Sequence, residues 1–280
     1  MLLHRAPASC FTRTVSLFDE LPHARVYDLG QPYFTGMPHY PTHPPFLYSL
    51  TKKHGDQVTK DNVSSAADAI ALGTHVGTHI DALCHFSCAG RMYGGVETET
   101  NQSYAAGIKT LSIDGVAPIL RRGVLLDIAG VEGGGPLPSD FAIRPQHLER
   151  ALQQTGVSIA EGDVVVLRTG WGSLFNDPVR YITGGSAQVV GPGPEREGAE
   201  WLSSRGVFAA GSDTIAFERV PSGMQVHQHL LVERGIHIIE ALNLEKLAAD
   251  RVYEFLFIAL PLKISGATGS PIRPVAVARA

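Results

Sequence analysis

The sequence predicts a β-rich α/β fold on three observations. Short apolar runs bounded by turn residues recur along the 280 residues. Segments with helical spacing fall between them. The 30 glycines and 18 prolines are spread throughout, which favours many short elements joined by turns. Strands interleaved with helices, with strand dominant, define the class. The expected buried strands are RGVLLDIAG (122–130), GDVVVLRTG (162–170), RGVFAAGSD (205–213) and RVYEFLFIALPL (251–262). RPQHLERALQQTG (144–156) has helical spacing and ends on Gly156, a suitable C-cap. Residues 193–206 form a second helix candidate. Residues 30–47 carry Pro32, Pro38, Pro41, Pro44 and Pro45; they predict an ordered loop or lid, because proline removes a backbone donor and fixes φ.

Composition bounds the function. A chain that is 44% hydrophobic can bury a full core. A net charge of −4 provides no basic face for nucleic acid. No segment approaches eighteen consecutive apolar residues, and the N-terminus lacks a secretory apolar run, which points to the cytoplasm and away from a membrane. Cys10, Cys84 and Cys88 are too few and too irregular for a disulfide framework, and a reducing compartment is expected.

The densest chemistry lies in THVGTHIDALCHF (74–86), which holds His75, His79, Asp81 and His85. All four would share one face of a strand. A straight strand would nevertheless separate His75 and His79 by roughly 13 Å, at about 3.3 Å per residue. The chain must bend between them, and Gly77-Thr78 is where it can. A glycine turn then gathers His75, His79 and Asp81 around one metal ion and leaves His85 beside it for proton transfer. The competing reading is of ordinary histidines flanking a strand. Cys84 alternates to the opposite side and reads as a small buried apolar residue.

HVGTHIDALCH resembles the H-x-G-T-H-x-D-x-x-x-H signature of the metal-dependent cyclase family, which includes isatin hydrolases and bacterial kynurenine formamidases. VYDLGQPYFTGMP, GDVVVLRTGW, VHQHLLVERGIHIIEALNLEKL and PLKISGATGSPIRPVAV are similar to further family segments. The resemblance covers most of residues 26–278. It implies one cyclase-like domain over residues 1–280, with 1–25 as an N-terminal extension and a swivelling β/β/α fold. It also implies assembly as a homodimer or homotetramer, a divalent cofactor (manganese or zinc), and hydrolysis of a small cyclic or formyl amide. His75, His79 and Asp81 match its metal ligands and His85 its catalytic histidine. His227 and Glu240 match a second metal site, with His229 competing for the place of His227. Leu83 stands where the formamidase pattern has proline, which favours the isatin-hydrolase-like branch, where one metal suffices.

Other residues carry weaker signals. Trp171 could stack on an aromatic substrate or fill a core edge. Phe34, Tyr40 and Phe46 could form a lid, with Phe34 against the substrate. GATGSP (266–271) could form an anion nest or a plain turn, and Ser212-Asp213 could support the site or cap a turn. Three other functions stand beside the isatin-hydrolase-like one: a non-haem Fe(II) oxygenase using His79-x-Asp81 and a distant histidine, a lactone or formamide hydrolase of the kynurenine formamidase type that the resemblance also allows, and a metal-binding protein without catalysis.

Overall fold

A computed structural model describes residues 21–279; Cys10 and most of the expected extension 1–25 lie outside the described residues. Its centre is a nine-stranded sheet. In chain order the strands are β1 (Ala24–Asp28), β2 (His79–Asp81), β3 (Ile119–Asp127), β4 (Val164–Arg168), β5 (Ala209–Ser212), β6 (His237–Glu240), β7 (Glu254–Ala259), β8 (Gly269–Pro271) and β9 (Val275–Arg279). Across the sheet they run β1-β9-β7-β3-β4-β5-β6-β2-β8. The middle four, β3 to β6, are parallel, and antiparallel strands flank them on both sides. The class is therefore the β-rich α/β one expected. Each of the four apolar runs supplies a strand; three are trimmed by a few residues at their ends, whereas β3 begins at Ile119, three residues before the 122–130 run, and stops at Asp127.

Parallel strands covered on both faces need apolar residues at every position. Val164, Val165, Val166 and Leu167 of β4 meet that need, all fully buried. Val164 and Val166 join one core with Leu125, Ala209 and Ile239. Val165 and Leu167 face the other with Val124, Leu126, Ala210 and Ile238. Each such side chain contributes about 1.5–3 kcal/mol by leaving water. Two helices cover the second face. Pro145–Thr155 buries Leu148 and Ala151 and stops at Gly156 in the left-handed conformation. Arg196–Ser203, the core of the 193–206 candidate, buries Ala199, Trp201 and Leu202. A third apolar cluster, with Met37, Val76, Trp171, Phe175, Tyr181 and Ile215, sits beyond the C-terminal ends of the parallel strands.

The proline-rich segment is irregular through Pro45, apart from one bridge between His39 and Val76. It then enters an exposed hairpin, Leu47–Lys52 paired with Ala67–Ala71. Among the described residues no helix is long and apolar enough to cross a membrane.

Candidate metal centre

The site lies where β6 ends and β2 begins. These strands are antiparallel, and their register sets Glu240 opposite His79. On the other edge of β2, Gly269 of β8 is paired with Asp81. A side chain there would put its Cβ 2.6 Å from the His75 ring, so only glycine leaves room for that imidazole. The expected turn is present. Gly77 has φ +66, and a Cβ on it would lie 2.8 Å from the Tyr33 ring and 2.9 Å from Met37. Both the conformation and the close approach require glycine. The Tyr33 hydroxyl donates to the Val76 carbonyl at 2.8 Å, and Thr78 Oγ1 donates to the Ala241 carbonyl at 2.6 Å, which ties the turn to the sheet.

The turn brings His75, His79 and Asp81 together, and the sheet adds His227 and Glu240. All five are buried. Two three-residue groups, His75–His79–Asp81 and Asp81–His227–Glu240, each present ligand atoms within 4.8 Å of one another and share Asp81. Hydrogen bonds aim the imidazoles. His79 Nδ1 donates to the Gly77 carbonyl at 2.8 Å, which leaves Nε2 3.3 Å from Glu240 and 3.6 Å from Asp81. His227 Nδ1 is 2.6 Å from Glu218, and its Nε2 is 3.2 Å from Glu240 and 3.9 Å from Asp81. Such partners fix which nitrogen faces an ion. His75 Nδ1 lies 2.7 Å from Asp81, with the Thr268 hydroxyl 2.8 Å from its Nε2.

Asp81 tests the fit to a cation. Its Oδ2 is the one buried side-chain polar atom among the described residues without a hydrogen-bond partner. An unpaired carboxylate oxygen away from water is costly, and a cation satisfies it. The donor set of imidazole nitrogens and carboxylate oxygens suits zinc and manganese. The titration of the pocket agrees. Burial alone would push His79 and His227 down, but Glu240, with Asp81 beside His79 and Glu218 beside His227, holds both above the ordinary value, His227 at about 10. Burial pushes Asp81 up, and the surrounding imidazoles bring it well below the usual carboxylate range.

His85 is no member of either three-residue group. Its ring stacks on His75 at 3.8 Å and meets Phe86 edge-on at 4.9 Å. Burial pushes it down to about 3, so it is neutral near pH 7, where an ordinary histidine would be partly protonated. His75, His79, His85, His227 and Glu240, together with Tyr40, Thr42, His43, Phe86, Ile215 and Met224, line a cavity of ≈ 370 Å³, which suits a small molecule, and Asp81 lies buried behind them. Three larger clefts, ≈ 900 Å³ beside Asp28 and Arg273, ≈ 580 Å³ beside Lys109 and Arg121 and ≈ 530 Å³ beside Arg25 and Asp250, contain none of the candidate ligands; the chemistry, not the size, locates the site.

Two expectations from the sequence change and one open alternative is resolved. Trp171 does not line the cavity: it is buried beneath it, with Nε1 donating to the Leu137 carbonyl at 2.9 Å. It fills a core edge. Phe34 and Phe46 also pack away from the cavity, on Phe175 and Tyr33 respectively, and of the lid aromatics Tyr40 alone lines it. His229 turns to Ser203 and Glu233, each at 2.8 Å, so His227 faces the site. Residues two apart on a helix point to opposite sides, so one of the two had to face away. Cys84 is buried, packs in the core and has its thiol pushed up to about 11 by burial; it is the apolar residue expected. GATGSP supplies Thr268 and Gly269 to the wall around His75. Asp213 accepts from Thr169, Gly170 and Gly172 and supports the strand ends.

Glu218, His43 and Phe86 escaped the sequence reading. Glu218 lies nine residues before the histidine it orients, and no local pattern links the two. Phe86 follows His85 directly, and its place in THVGTHIDALCHF was the one available signal.

The fold and this centre define a β-rich α/β protein with a buried His/carboxylate cluster, suited to a divalent metal, at the C-terminal ends of the parallel strands of a mixed sheet. The profile described as putative cyclase matches residues 27–219, and the chain belongs to the cyclase family. It is similar to the isatin hydrolase of Roseibium aggregatum, 28% identical over 74% of this chain and 73% of that protein. It is also similar to the kynurenine formamidase of Bacillus thuringiensis, 26% identical over 89% of this chain and 95% of that one. Among solved structures, one of a novel cyclase superposes with a TM-score of 0.82 at 29% identity, covering 94% of this chain and 91% of that chain.

Proposed function

We propose that the protein is a metal-dependent hydrolase of a non-peptide C–N bond in a small cyclic or formyl amide. The observation that carries this reading is Asp81, whose unpaired buried oxygen belongs to two groups of metal-ligating residues, and the other four members of those groups, His75, His79, His227 and Glu240, line a cavity of small-molecule size. The names of the two relatives, a hydrolase and a formamidase, support it.

In this reading His75, His79 and Asp81 hold one divalent ion, manganese or zinc, and Asp81, His227 and Glu240 offer a place for a second. Such an ion lowers the pKa of water from about 16 towards 7 and polarises a carbonyl oxygen. The residues do the rest. Asp81 and Glu240 balance the positive charge. Glu218 keeps His227 Nε2 turned inward. His85, neutral and on the cavity wall, takes a proton from the attacking water and returns it to the leaving nitrogen. Phe86, Ile215 and Met224 supply an apolar wall. A facial triad for oxygen chemistry uses two histidines and one carboxylate; the three histidines and two carboxylates here exceed it. Dimer or tetramer formation has a candidate surface in the hairpin, where Leu47, Tyr48, Leu50 and Ile70 are exposed.

Protein purified without chelator should contain a divalent ion by elemental analysis and should hydrolyse at least one member of a panel of cyclic and formyl amides. Metal-stripped protein should not. Equal activity with and without metal would sink the reading.

A further inference from the structure

The cavity holds one more imidazole, which neither the ligand groups nor the proton transfer uses. His43 comes from the proline-rich loop, in the stretch YPTHPPF. Its backbone closes a tight turn onto Tyr40 at 2.9 Å. Two neighbours lock the loop. Pro44 accepts from the Gly73 backbone at 3.2 Å, and a Cβ on Gly73 would come within 2.9 Å of the Pro44 carbonyl. His43 is thus carried on a rigid segment, as a recognition residue must be.

Its orientation follows from one contact. His43 Nδ1 lies 3.4 Å from the backbone carbonyl of His75. A carbonyl only accepts, so the ring hydrogen sits on Nδ1 and Nε2 keeps its lone pair. Among the described residues Nε2 has no hydrogen-bond partner, and the side chain lines the cavity. The ring is 5.1 Å from that of His75 and 6.1 Å from that of His85, centre to centre. The cavity lining therefore carries an unpaired acceptor next to His75 and His85.

We infer that His43 is a specificity-determining residue whose Nε2 accepts a hydrogen bond from the substrate, which assigns the substrate to amides carrying an N–H at the bond to be broken and disfavours the matching esters and lactones. An amide N–H donates to this acceptor; an ester oxygen in the same place cannot, and would face the lone pair with its own. The inference rests on the hydrolase reading above.

The test uses the metal-loaded full chain with two paired probes, an aryl formamide with its formate ester and a benzo-fused lactam with its lactone. His43→Phe keeps a ring for the loop to pack on but removes the acceptor, and His43→Gln restores an acceptor oxygen. One neutral hydrogen bond contributes about 0.5–1.5 kcal/mol. In His43→Phe, kcat/KM for the amide should fall about three- to tenfold and that for the ester by less than twofold. In His43→Gln part of the amide activity should return. Metal content should match wild type in both. Equal losses on amide and ester, or no loss on either, would overturn the assignment of His43 while leaving the hydrolase reading standing. If metal-loaded wild type hydrolyses neither member of either pair, the hydrolase reading falls and the His43 assignment falls with it.

Discussion

Asp81 and Asp213 are both buried carboxylates close to the ends of strands of one sheet, β2 and β5 with β6 between them, and they are opposites. Asp213 accepts four hydrogen bonds, from Thr169 N at 2.9 Å, Thr169 Oγ1 at 2.6 Å, Gly170 N at 2.9 Å and Gly172 N at 3.3 Å. Asp81 Oδ1 is shared between His75 and His79, and its Oδ2 has no partner. Backbone donors surround one group and metal-ligating side chains the other. Burial itself does not mark a functional carboxylate. What marks it is an environment of ligand atoms that leaves one of its oxygens unsatisfied.

The same substitution at both places should separate them most widely. Asp81→Asn keeps the shape and removes the charge that holds a dication. It should lose metal and at least a thousandfold of activity, on the scale of losing a ligand together with the chemistry it supports, while thermal unfolding of the metal-free protein stays near wild type. If Asp81→Asn keeps its metal, the contrast between the two residues is void.

His85→Ala asks whether the ligand cluster ends where the geometry ends it. Turnover should drop on the order of a hundred- to ten-thousandfold, with metal content unchanged by elemental analysis. Because burial holds His85 at about 3, it stays neutral from pH 5 upward, and the wild-type pH–rate profile should show no limb near 6.5 that His85→Ala abolishes. A mutant stripped of metal would make His85 a ligand.

Asp213→Asn places an NH2 group among the N–H donors of Thr169, Gly170 and Gly172. Leaving buried donors unsatisfied costs about 1–3 kcal/mol each, so stability should fall by about 3 kcal/mol in denaturant titration. Metal affinity of the folded protein should stay within a few-fold. Large metal loss without unfolding would show that Asp213 belongs with Asp81.

The smallest effects lie around the histidines. Glu218→Gln weakens the contact that orients His227 and should cost about tenfold in metal affinity, read by competition with a chelating dye. The pH dependence has a definite sign. His79 and His227 are held above their ordinary values, His227 at about 10, so a cation must displace protons from them. Affinity should therefore rise with pH, about tenfold per unit for each proton displaced, and pH-independent binding between 6 and 8 would contradict the arrangement.

Much of this was legible in the linear chain because it is local. Val164–Leu167 read as a doubly covered strand from four consecutive apolar residues, Gly156 as a cap from its place after a helical pattern, and Gly77 as a turn because His75 and His79 could not otherwise converge. His75, His79, Asp81 and His85 lie within eleven residues, so backbone geometry alone restricts how they can meet. By itself, then, the sequence determined the class of the fold, the bend at Gly77 and the first three candidate ligands. Tertiary structure decided everything that joins distant segments. It chose His227 over His229, since a helix turns residues two apart to opposite sides and the sheet settles which side is the site. It placed Glu240 across from His79 through the register of β6 and β2, sent Trp171 into the core, and brought His43 and Thr268 to the cavity. Such pairings depend on which strands become neighbours, and that is set by burial summed over the whole chain, a quantity that no short window of residues contains.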